Sequence, residues 1–270
     1  MISLSRYWSE FFDYCKQPPY IHHRDAECFD ARYWVSKPSY VREPLDFRSF
    51  IRSQRLDPDD TDFHFSLLPA PYVGNLTEAD VFILLLNPGF SPGDYFGEYE
   101  RAEFRKALIQ NLKQDFSGVE SPFLFLDPKF CWHGGFLWWE KKLRRILEVV
   151  ARDTYEGNYL LALKKVSRRI ASIELVPYHS RRFKASELAE MLNSTQAARA
   201  WVNDYLVRRA RKGKIVIVAT YKWNLRNRHN RVVCVEKSEA QGFSLAPDSN
   251  GGKLILAQLL KKKSLHSDCV

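Results

Sequence analysis

Apolar residues in this chain come in two rhythms. Four short stretches, 81–86, 173–176, 214–219 and 231–235, are nearly continuous in apolar side chains. Runs of this kind read as strands covered on both faces, as in a parallel sheet. Longer stretches carry apolar residues at helical spacing: 99–112, 138–152, 186–211 and 253–263, with weaker patterning around 8–14 and 47–54. Strands alternating with helices imply βαβ units with right-handed crossovers. The expected fold class is α/β, a three-layer sandwich around a central, mostly parallel, four-stranded sheet.

Residues 1–60 are rich in aromatics and histidine, among them Tyr20, His22 and His23. They read as an amino-terminal extension packed on the core, ending in the connector Leu56-Asp57-Pro58-Asp59-Asp60. Residues 61–270 form the main domain. Within it, 117–139 is an insert dense in aromatic side chains, read as a loop that runs into the helix beginning at Trp138.

At 270 residues and 45% hydrophobic composition, the chain can bury one large core. Charged residues make up 27%, which excludes a disordered chain. No apolar run approaches a membrane span, and the amino end lacks the apolar core of a secretion signal. The expectation is a cytoplasmic protein without a membrane partner. Cys15, Cys28, Cys131, Cys234 and Cys269 include no CxxC pair, so they read as free thiols. Neither a metal nor an organic cofactor is expected.

The net charge of +9 is unevenly spread. Arg208, Arg209, Arg211, Lys212, Lys214, Lys222, Arg226, Arg228 and Arg231 fall in a stretch whose only acid is Asp204, with Arg168, Arg169, Arg181 and Arg182 upstream. Such a stripe suits a polyanion such as DNA, and it equally suits a solvated helix face. Several of its members flank strand ends, which places them by expectation on the same sheet edge as Asn87.

The stretch 81–86 stops at Asn87-Pro88-Gly89. Pro88 cannot continue a central ladder, and Gly89 can turn the chain. Asn87 then sits at the carboxyl end of a parallel strand, where open α/β sheets place their ligands. A plain turn is the simpler reading of the tripeptide alone. Two further strand ends open into Pro177-Tyr178-His179-Ser180 and Gly242-Phe243-Ser244-Leu245-Ala246-Pro247. With Leu84-Leu85-Leu86-Asn87-Pro88-Gly89, this order resembles the uracil-DNA glycosylase superfamily, most closely its mismatch-specific thymine/uracil branch. The resemblance covers roughly residues 65–262.

The resemblance implies a fold of the uracil-DNA glycosylase type and a monofunctional DNA glycosylase, with DNA as partner. Asn87 would hold the water that attacks the sugar carbon, and Pro88, Gly89 and Phe90 would border the flipped base. A neutral amide cannot take the proton from that water, which forgoes about 10²–10⁴ in rate. Family spacing puts the aromatic floor of the base pocket near Tyr99, with Phe90, Tyr95 and Phe96 as competitors. Each of these rings also fits an ordinary core. His179 and Tyr178, with Ser180, fall where the family reads the base edge. Arg181, Arg182, Lys222 and Arg226 would meet phosphates. In the closing loop of Gly242, Phe243, Ser244 and Leu245, either Phe243 or Leu245 would be an apolar wedge in the minor groove.

Two departures bear on substrate. The Asp and the His-Pro-Ser motif of the strongest uracil enzymes are missing. The 117–139 insert suggests a roomier pocket. The substrate is then a modified or deaminated pyrimidine, and an enlarged cytosine of viral DNA, with an antiviral defence role, is one candidate by analogy. Two other functions stay open: a nucleic-acid-binding module of the same fold without chemistry, and a nucleoside hydrolase.

Overall fold

The computed structural model describes residues 3–29, 45–53, 57, 60–184, 186–225, 229–235 and 244–261. Among the described residues, five strands form one sheet in the order β1-β3-β2-β4-β5. They are β1 (Tyr72–Val73), β2 (Val81–Leu85), β3 (Ile170–Glu174), β4 (Val216–Thr220) and β5 (Val232–Val235). β3, β2, β4 and β5 run parallel, and β1 pairs antiparallel with β3. The fold is therefore α/β with a mixed sheet of five strands, which corrects the expected four. The four expected strands are present, the second lying at Ile170–Glu174 rather than 173–176. The fifth has two residues, too few to show a period, and is held by the pairing of Tyr72 with Ile173 and Val73 with Ser172.

Alternation along β2 explains why its whole run is apolar. Phe82 and Leu84 enter a core with Trp8, Leu112 and Trp201. Val81 and Ile83 enter a second core with Leu143, Leu147 and Ile255. Helices thus cover both faces, as a central parallel strand requires. On the first face pack Leu4–Ser9, Ala102–Lys113 and Asn193–Trp201. On the second lie Gly134–Thr154, Tyr159–Ser167 and Asn250–Leu259. Among the described residues, no helix is long and apolar enough to cross a membrane.

Several boundaries differ from the sequence expectation. Helix begins earlier than the expected 99: the chain is helical from Pro92 to Glu100, and a second helix runs Ala102–Lys113. Pro92 fits this start because a first-turn residue needs no amide hydrogen. The 186–211 stretch is broken into Ser186–Met191, Asn193–Trp201, a π turn at Val202–Leu206 and Val207–Arg211. The helix Tyr159–Ser167 was not expected; the Asn158 side chain caps it by accepting from the Leu161 amide at 2.9 Å. The aromatic insert contains two short turns, Leu124–Leu126 and Pro128–Phe130, before the helix Gly134–Thr154 begins.

The described part of residues 1–60 enters the same packing as the sheet. Leu4, Tyr7, Trp8, Phe11 and Tyr20 belong to the first core. Buried Asp25 accepts from the Tyr178 hydroxyl at 2.6 Å and from the Ser194 amide at 2.9 Å. Phe50, in the helix Phe47–Arg52, stacks on Tyr95 with ring centroids 4.4 Å apart.

The parallel strands give the sheet two unlike rims. Asn87, Arg181, Arg182 and Lys222 follow strands and lie at the carboxyl rim. Arg208, Arg209, Arg211, Lys212 and Lys214 precede β4, while Arg168 and Arg169 precede β3 and Arg231 precedes β5. Most of the basic stripe therefore lies at the amino rim, across the sheet from Asn87, which corrects the expected placement. The cause is topological: the stripe spans β4, so its two halves emerge at opposite ends of that strand.

Candidate functional site

A cavity of about 370 Å³ opens at the carboxyl ends of β2 and β3, on the face covered by the Gly134–Thr154 helix. That volume lies at the lower end of the range of small-ligand pockets. Leu85, Asn87, Pro88, Gly89 and Phe90 form one side, and Ser172 and Glu174 of β3 form the base. Phe125, Trp138 and Trp139 supply an aromatic wall, and His179 and Arg181 complete the rim. A larger groove of about 760 Å³ runs along the β5 edge, but among the described residues neither carboxylate nor histidine lines it.

Asn87 is half-buried, and its orientation is fixed by Ser180. Its Nδ2 donates to the Ser180 carbonyl at 3.2 Å and to Ser180 Oγ at 3.1 Å. A carbonyl only accepts, so these contacts settle which end of the amide is nitrogen. Oδ1 accepts no hydrogen bond from the described residues and remains available to a water or ligand. Ser180 is itself held by a bridge to Phe63. Gly89 makes the turn at φ +70°, a conformation that strains other residues. Its carbonyl is tied at 3.0 Å to His179 Nδ1, which must carry the hydrogen. His179 is buried, and burial lowers its pKa despite the nearby Asp94 carboxylate. A neutral imidazole fastening the Asn-Pro-Gly turn is what this geometry presents.

Among the described residues two carboxyl groups line the cavity, and their surroundings push their pKa values apart. Burial is the largest influence on Asp94 and raises its pKa. The hydrogen bond and proximity of His133, the nearby His179 and the Ser91 amide outweigh it and hold the group below 3.8. His133 Nε2 lies 3.1 Å from Asp94 Oδ1, and the Ser91 amide donates to Oδ2 at 2.5 Å. Glu174 is the opposite case. Burial alone raises its pKa to about 8, and Oε2 has no hydrogen-bond partner. Ser172 Oγ, two residues back on the same strand face, is likewise buried without a partner.

His133 also caps the Gly134–Thr154 helix, accepting from the Gly135 amide at 3.0 Å. Gly134 and Gly135 let this helix start approach closely. A Cβ on Gly134 would lie 2.8 Å from Ser91 Oγ, and one on Gly135 would lie 2.5 Å from the Phe125 ring. The positive end of a long helix thus borders the cavity, where it favours negative charge.

The structure brings Asn87, Pro88, Gly89, Phe90, His179 and Arg181 together at one cavity. Phe90 stacks on His64 with centroids 3.7 Å apart, and it alone of the four candidate floor rings lines the space. Tyr95 is fully buried behind it. Phe96 packs on Phe47 and Trp132, and the Tyr99 hydroxyl donates to the Ser66 carbonyl at 2.6 Å. Tyr178 is buried with Phe29, Phe63 and Phe65, its hydroxyl on Asp25, away from the cavity. The aromatic wall comes instead from the 117–139 insert, with Trp138 40% exposed at the mouth. Ser180 lies behind Asn87, and Arg182 and Lys222 stand exposed and half-exposed on the same rim. Ser244 is exposed, but Leu245 is only 1% exposed and sits in the core with Ile255, so it does not project as a wedge. Arg226, Gly242 and Phe243 lie outside the described residues.

Sequence reasoning missed Glu174, Ser172, Asp94 and His133. Glu174 carried a signal: a lone acid in a strand buried on both faces. Asp94 is disguised as a helix-start residue, three after Ser91. Comparison with family models, curated proteins and solved structures finds no match to this chain.

Proposed function

We propose that this protein is a monofunctional DNA glycosylase, hydrolysing the N-glycosidic bond of a modified or deaminated pyrimidine to leave an abasic site. The observation that carries the reading is the Asn87 amide at the rim of an aromatic-walled cavity, its Nδ2 held by Ser180 and its Oδ1 free to orient a water.

The target nucleotide leaves the stack and its base enters between Phe90 and the Phe125–Trp138 wall. Water oriented by Asn87 Oδ1 adds to the sugar C1′. The C1′–N bond breaks, and its electron pair departs on the base. The amide positions the nucleophile without deprotonating it, so the sugar carries positive charge as the bond breaks. Ionised Asp94, lining the same space, favours that charge, and the positive helix end at Gly134 favours the negative charge on the base. The proton shed by the attacking water passes to solvent or to Asp94. Arg181, Arg182 and Lys222 stand where the phosphates of a duplex on this rim would pass. No lysine lines the cavity among the described residues, which supports hydrolysis over a Schiff-base mechanism with strand cleavage.

One observation favours a second reading, a nucleoside hydrolase. Most of the basic stripe lies at the amino rim, so fewer cations than expected face the cavity. Incubation with duplexes carrying uracil, thymine mismatches and enlarged cytosines, and separately with the free nucleosides, separates the two. The proposal expects base release from DNA and none from nucleosides. The reverse pattern refutes it.

A further inference from the structure

Glu174 is an anomaly that the glycosidic step does not use. It is 6% exposed on a strand covered by helices, and its Oε2 makes no hydrogen bond. Ser172, 1% exposed, presents a second unpartnered oxygen beside it. Alternate residues of a strand share a face, so the two groups form one polar strip on the cavity floor. Leaving such groups buried and unpaired is costly, whereas apolar replacements would suit this face of the core. A polar strip of this kind, among Leu85, Phe90, Phe125 and Trp139, has the form of a ligand-recognition site.

The chemistry of the strip narrows what it takes. Burial keeps the Glu174 carboxyl protonated at neutral pH. A neutral carboxylic acid sets one O–H donor and one C=O acceptor side by side. An ionised carboxylate would offer acceptors only; the other charged side chains lining the cavity among the described residues are Asp94 and Arg181. The complement of an adjacent donor and acceptor is a planar heterocycle edge bearing an acceptor next to an N–H.

We propose that Glu174, backed by Ser172, is the specificity-determining pair of this cavity and reads the Watson–Crick edge of a pyrimidine. Its O–H donates to a ring nitrogen or carbonyl, and its C=O accepts from the neighbouring N–H. This rests on the glycosylase reading for its setting but concerns recognition alone, so binding of the free base tests it without turnover.

The test uses the full chain and three variants, Glu174→Gln, Glu174→Leu and Ser172→Ala, with 1-methyluracil, 1-methylcytosine and 1,3-dimethyluracil as probes in ligand-observed NMR. Wild type is expected to bind 1-methyluracil and 1-methylcytosine, and to bind 1,3-dimethyluracil, in which no ring N–H remains, at least tenfold more weakly. Glu174→Gln retains an adjacent donor and acceptor and retains binding. Glu174→Leu loses about tenfold to a hundredfold, the effect of two neutral hydrogen bonds, while its melting temperature is unchanged or raised. Ser172→Ala weakens binding by less. Equal binding of all three probes, no binding of any to wild type, or unchanged binding in Glu174→Leu overturns the inference. Base release from DNA with the same selectivity in Glu174→Leu overturns it while leaving the glycosylase reading in place. Edge-selective binding without base release from any DNA does the converse.

Discussion

Replacing Glu174 by glutamine should change how stability depends on pH, and the size of the change follows from its burial. The carboxyl titrates at about 8 in the folded chain against an ordinary value of 4.5, because burial disfavours its charged form. Between those values the folded protein holds a proton that the unfolded chain has released. Stability is therefore full below about 4.5 and falls as pH rises, by about 1.4 kcal/mol per unit until the folded group ionises. The whole window amounts to roughly 5 kcal/mol. For a chain of this size, 1 kcal/mol moves the melting temperature by about 2–4 °C. Glu98 behaves in the same direction: burial, opposed by the Leu68 amide and Arg105, raises it to about 8. His22 works oppositely below pH 6.5, since burial lowers it to about 4. The difference between variant and wild type cancels both. From pH 6.5 to 8, Glu174→Gln should gain on wild type by roughly 2 kcal/mol, or about 5 °C, measured by differential scanning fluorimetry. Parallel melting curves across that range would refute the argument that this carboxyl is buried and neutral.

Other expectations follow from placement. Asn87→Ala should lower base release by about 10²–10³, in line with the loss of one preorganised polar group, with stability changed by about 1 kcal/mol for the two contacts to Ser180; single-turnover kinetics and chemical denaturation check both. Leu245→Ala should destabilise the fold by about 2–5 kcal/mol, seen as a lowered denaturation midpoint, because the side chain is core rather than wedge. Arg181→Ala should weaken duplex binding and reduce the slope of log affinity against log salt by about 1, whereas Arg208→Glu with Lys212→Glu, across the sheet, should leave base release from a short duplex unchanged. Loss of release in that double variant would bring the amino rim into the mechanism.

What the sequence made legible was set by how local the cause is. Val81–Leu85 is readable because both faces of the strand are buried, so every position must be apolar. Asn87 is readable because Pro88 and Gly89 punctuate the strand end. Tyr72–Val73 is not, since its strand character comes from pairing with residues a hundred positions away. The floor of the cavity was hidden for a related reason. Glu174 stands out in sequence as a lone acid in an apolar strand, but its place on a cavity floor shows only once the helix Gly134–Thr154 roofs it, and Tyr99 looks like a floor until its hydroxyl is found on Ser66. The basic stripe misled because adjacency in sequence across β4 becomes separation by the length of the sheet.

The account turns on one neutral amide directing water at a sugar carbon. The most direct measurement is single-turnover release of free base, identified by mass spectrometry, from duplexes bearing modified and deaminated pyrimidines, comparing wild type with Asn87→Ala. The account predicts a released pyrimidine, an intact abasic strand, and a rate at least about a hundredfold lower in the variant. Equal rates in the two proteins, or no base released from any duplex, would contradict it.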